Sequence, residues 1–142
     1  MKYEQDIVVW ANEQAKNLRK GHFNLLDIEH IAEEIEDVGK SEQRELESRI
    51  AILIAHLLKW QFQPEQKGRS WESTIRNQRT SIARRLRKTP SLKASLDDAD
   101  WLADAWGDAL YLANKETECN IEFSQSCPYS ISEILNEKFM PD

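Results

Sequence analysis

The stretch from Glu42 to Phe62 constrains the fold more than any other. On a helical period, Leu46, Ile50, Leu53, Leu57 and Trp60 form one stripe, while Ile52, Ile54 and Leu58 fall outside it. A helix that is apolar on nearly every side needs neighbours on nearly every side, so the segment predicts the central helix of a bundle. Pro64 ends it, and Gln63 to Ser70 reads as a polar loop.

The neighbours follow from the same periodicity. Tyr3, Ile7, Trp10, Ala11, Gln14 and Leu18 share a stripe over Tyr3 to Lys20, and Gly21 follows Arg19 and Lys20 as a helix stop. Asp27 caps a second helix with Ile28, Ile31, Ala32, Ile35 and Val38 inward. Gly39 is expected to break that helix and Ser41 to cap the next. A fourth runs from about Trp71 to Lys88 with Trp71, Ile75, Ile82 and Leu86 inward. Thr89-Pro90 stops it, and Ser95 with Asp98 forms a capping box for a fifth helix bearing Leu102, Ala105, Trp106, Ala109, Leu112 and Ala113. Ser130 with Glu133 predicts a short last helix, Ile131 to Asn136. At 142 residues, with only four Gly and four Pro, the chain fits one domain and not a turn-rich β fold. The expectation is an all-α, single-domain helical bundle over 1–142, with about five main helices and a short C-terminal one.

Compartment and chemistry can be narrowed further. The start, Met1-Lys2-Tyr3-Glu4-Gln5-Asp6, carries acid where a signal peptide needs a basic and then an apolar stretch. The longest apolar run, Ile50 to Leu58, is interrupted by His56 and falls well short of the ~20 residues of a membrane span. Two cysteines, Cys119 and Cys127, make no disulfide framework and are expected to be reduced. A cytoplasmic protein with no membrane contact is the expectation.

Several runs resemble a known family. Glu33-Glu34-Ile35-Glu36-Asp37-Val38-Gly39-Lys40-Ser41-Glu42 is similar to the centre of the bacterial Domain of Unknown Function 29 family. So are His56-Leu57-Leu58-Lys59-Trp60 with Gln63-Pro64, then Ser70-Trp71, Thr74-Ile75, Gln78-Arg79, Pro90-Ser91-Leu92 and Cys127-Pro128-Tyr129. The resemblance implies an α-helical, soluble bacterial protein and supplies no activity, cofactor or catalytic residue.

Charge is strongly segregated. Lys67 to Lys88 holds eight basic residues against Glu72 alone, whereas Asp27 to Glu47 holds nine acids against Lys40 and Arg44. Arg69, Arg76, Arg84, Arg87 and Lys88 form a candidate basic surface for nucleic acid. The net charge of −6 opposes a polyanion, and the cations scatter around the helix, so nucleic acid ranks behind a protein partner. His30, Glu33, Glu34, Asp37 and His56 are a candidate metal or acid–base site, since acids at three and four residues from His30 share its face. Neither Glu-x-x-His nor His-Glu-x-x-His occurs, and satisfied structural roles account for each residue. Arg49, Arg79, Arg85 and Asp108 sit at stripe edges and predict internal ion pairs, with Arg49 and Arg79 answering Glu34, Glu36 or Asp108. No catalytic residue and no cofactor is expected. Val8, Val9, Ile52 and Ile54 exceed what one bundle face needs, which points to a non-catalytic module that binds a protein partner or forms a homo-oligomer.

Overall fold

The structure, a computed structural model, describes residues 2–63, 65, 68–117 and 126–142; Pro64, Lys67 and Cys119 lie outside them. The described residues are all-α and contain no strand. They form α1 (Ile7–Lys20), α2 (Ile28–Phe62), α3 (Arg69–Lys88), α4 (Ala99–Thr117) and α5 (Ile131–Leu135), with 3-10 turns at Phe23–Leu25 and Pro90–Asp97. Contacts gather the chain into two units, Met1–Ser41 and Glu42–Asp142, and α2 runs through both.

Local chemistry accounts for most of the helix ends. α1 begins at Ile7 and not at Tyr3, because the Asp6 carboxylate accepts from the backbone N–H groups of Val8 and Val9. Gly21 closes it at φ 73°, a left-handed conformation that costs glycine nothing. The expected break at Gly39 does not occur, and Ser41 lies mid-helix. Ile28, Ile35, Leu46, Ile50 and Leu53 share one phase of the helical period across Gly39. Continuing the helix through Gly39 therefore keeps the stripe in phase, for the ~1 kcal/mol that glycine costs inside one. The cap of α4 is Asp98 itself, whose Oδ1 accepts from Asp100 and Trp101, while Ser95 is buried in the preceding 3-10 helix. α5 carries the full Ser130–Glu133 capping box.

The core belongs to the second unit. Leu46, Ile50, Leu53, Leu57 and Leu58 of α2 are completely buried against Ile75, Ile82 and Leu86 of α3, Ala105, Trp106, Ala109 and Ala113 of α4, and Ile134 of α5. Ile54, expected on the outside, is 2% exposed and belongs to this core, while Ile52 is half-buried. In the first unit Trp10 alone among the described residues of α1 is buried, and its indole N–H donates to Asp27 at 3.0 Å. The Asp27 backbone N–H in turn donates to Gln14 at 2.8 Å, tying the start of α2 to α1.

Candidate functional site

The proposed acid–histidine site divides between the two units. In the first, His30 Nδ1 lies 2.7 Å from Asp27 Oδ2 and Nε2 lies 3.3 Å from Glu4, with the imidazole stacked on Tyr3 at 4.1 Å. The hydrogen bond to Asp27 raises the His30 pKa and holds the Asp27 carboxyl below its usual range. Tyr3 donates its hydroxyl to Glu34, and that bond pushes the phenol up to about 12. Glu33 and Asp37 are exposed on α2. Among the described residues no group of three or more His, Cys, Asp or Glu is arranged to hold a metal ion.

His56 belongs to a different cluster, one that periodicity did not reveal. Its Nδ1–H donates to the Ile52 carbonyl at 2.9 Å, which leaves Nε2 as an acceptor facing Lys59 Nζ at 3.3 Å. Lys59 is 3% exposed, pairs with Glu116 and lies 5.1 Å above the Trp71 ring. Burial, with the Lys59 cation alongside, pushes the His56 pKa down. The imidazole is thus a neutral acceptor that helps satisfy a buried cation. The available signal was a lysine set between Leu58 and Trp60, inside the helix that is apolar on nearly every side.

The arginines are held within the second unit, but by other partners than those expected. Arg79 is buried and forms no ion pair among the described residues: Nε donates to the Ile134 carbonyl at 2.8 Å, and the terminal nitrogens reach those of Glu133 and Glu137 at 3.4 and 3.5 Å. These carbonyls lie at and beyond the end of α5, so the guanidinium caps that helix. Arg49 pairs with Glu45 at 3.1 Å and donates to Gln78 at 3.4 Å. Arg85 forks between Glu42 and Glu45, both at 3.3 Å. Asp108 is exposed and lies near Glu47, and among the described residues it forms no ion pair with an arginine. Partial burial first, then Asp108 and Asp104, raises the Glu47 pKa. Arg76 pairs with Glu72 at 3.7 Å, while Arg69 and Arg87 are exposed. Cys127 packs against the core, and burial raises its thiol pKa.

The most distinctive surface is apolar and lies in the first unit. Ile28, Ile35 and Val38 of α2 are 70%, 67% and 65% exposed, and Val8, Leu18, Phe23 and Leu25 are exposed as well. Trp10, Ala11, Leu18, Ile31, Ile35 and Val38 line an open groove of about 300 Å³ between α1 and α2. No described helix is long and apolar enough to cross a membrane. The family model described as Domain of unknown function DUF29 matches residues 2–140. No curated protein and no solved structure matches the chain.

Proposed function

We propose, for a chain that belongs to the DUF29 family, that the N-terminal unit is a self-association surface and that the protein acts by binding and not by catalysis. The observation that carries this reading is the stripe of α2, fully buried from Leu46 to Leu57 and about two-thirds exposed at Ile28, Ile35 and Val38. An apolar stripe left open over several turns marks a surface that a partner covers.

A second copy of the chain fits that role, because it brings the same open stripe, and a two-fold axis through the groove lays one stripe on the other. Leu18, Ile28, Ile35 and Val38 from both copies supply eight side chains, on the order of 10–20 kcal/mol if fully buried. That is comparable with the ~4–15 kcal/mol that association costs.

Sedimentation of the full chain tests this. The wild type is expected to run as two chains and to dissociate on dilution, while Ile35→Glu runs as one chain with unchanged helical content. A wild type that stays monomeric throughout its soluble concentration range would end the proposal.

A further inference from the structure

We propose that the cleft between α2 and α3 in the second unit binds a small ligand carrying a phosphate dianion, independently of the N-terminal surface. The cleft measures about 360 Å³, and four cations surround it: Arg49 from α2, and Arg84, Arg85 and Lys88 from α3. Ser81 and Thr89 add hydroxyls to its lining.

Its charge balance is uneven. The neighbouring carboxylates are Glu42 and Glu45; Arg85 bridges the two, and Arg49 pairs with Glu45. Among the described residues, neither Arg84 nor Lys88 has a carboxylate in ion-pair reach. Four cations against two acids leave two positive charges, the complement of one phosphate dianion. Arg84 and Lys88 are also four residues apart on one helix, where like charges repel.

The negative end of the α3 dipole accounts for a basic last turn. It does not account for Arg49, which comes from the facing helix and is half-buried. Nor does a solvated basic face explain the pattern, because these side chains border one concavity. Among the described residues no aromatic ring lines the cleft to stack on a nucleobase, and a phosphate monoester of a small polar molecule fits better than a nucleic acid.

The test is calorimetric titration of the full-length protein with inorganic phosphate, glycerol phosphate and a single-stranded oligonucleotide, each at low and at physiological salt. Glycerol phosphate and phosphate are expected to bind one per chain. The double variant Arg84→Ala, Lys88→Ala should lose at least about tenfold in affinity while melting like the wild type. Both residues are exposed, so a fold defect is not expected, and Arg84→Lys should retain most of the binding. Tighter binding by glycerol phosphate than by inorganic phosphate identifies a monoester as the ligand, and equal binding identifies the free anion. Absence of heat with both phosphates, undiminished binding by the double variant, or tighter binding of the oligonucleotide would each overturn the proposal.

Discussion

The two halves of α2 carry the same apolar stripe and treat it in opposite ways. From Leu46 to Leu57 its residues are fully enclosed by α3, α4 and α5, whereas Ile28, Ile35 and Val38 remain about two-thirds exposed. Hydrophobic periodicity identifies which side of a helix seeks cover, but not whether the chain itself supplies that cover. The histidines repeat the contrast. His30 is held by carboxylates that favour its protonated form, and His56 is buried beside a lysine that favours its neutral form.

Truncating the stripe at two points gives the largest expected difference. Leu53→Ala opens a cavity in the filled core and should cost about 2–5 kcal/mol in urea unfolding. Ile35→Ala, measured under dilute, monomeric conditions, should change stability by less than about 0.5 kcal/mol. Equal costs would mean that the two halves of α2 do not differ in the way their exposure indicates.

A smaller contrast separates two arginines of α3. Arg79→Leu leaves the carbonyls of Glu133, Ile134 and Glu137 without their charged donor and should cost roughly 1.5–3 kcal/mol. Arg76→Leu removes an exposed pair with Glu72 and should be nearly silent in the same thermal melt. A silent Arg79→Leu would contradict the capping role.

The finest test is the titration of the two imidazoles by NMR. His30 should titrate above the ordinary histidine value and His56 below it. The stability that His30 lends its unit is present below the unfolded value and is lost as pH rises through the raised one. For His56 the sign reverses: its contribution holds above the unfolded value and is lost as pH falls through the depressed one. Acidification across that interval strengthens the Asp27–His30 contact and sets a second cation beside Lys59. Coincident midpoints would erase the distinction.

The sequence showed which residues were chemically unusual more reliably than what they would meet. The stripes of α2, α3 and α4 and the caps at Gly21 and Ser130 were legible because they depend on near neighbours in the chain. Gly39 misled because a glycine outside any turn is a weak stop, and the phase shared by Ile35 and Leu46 was the stronger signal. Arg79 was recognisable as an interior arginine, but its partners are backbone carbonyls more than fifty positions away. Every residue type supplies such carbonyls, so composition cannot point to them. The cleft around Arg49, Arg84, Arg85 and Lys88 was equally hidden, since it arises from the facing of two helices and not from spacing along either.

The arrangement at Arg79 also bears on how the fold comes apart. α5 spans only five residues, too few to persist as an isolated helix in water. The end of this helix is held by a side chain that α3 lends across the bundle. Its order is therefore borrowed from α3. The same guanidinium that closes this helix determines how readily a protease or an exchanging deuteron finds it open.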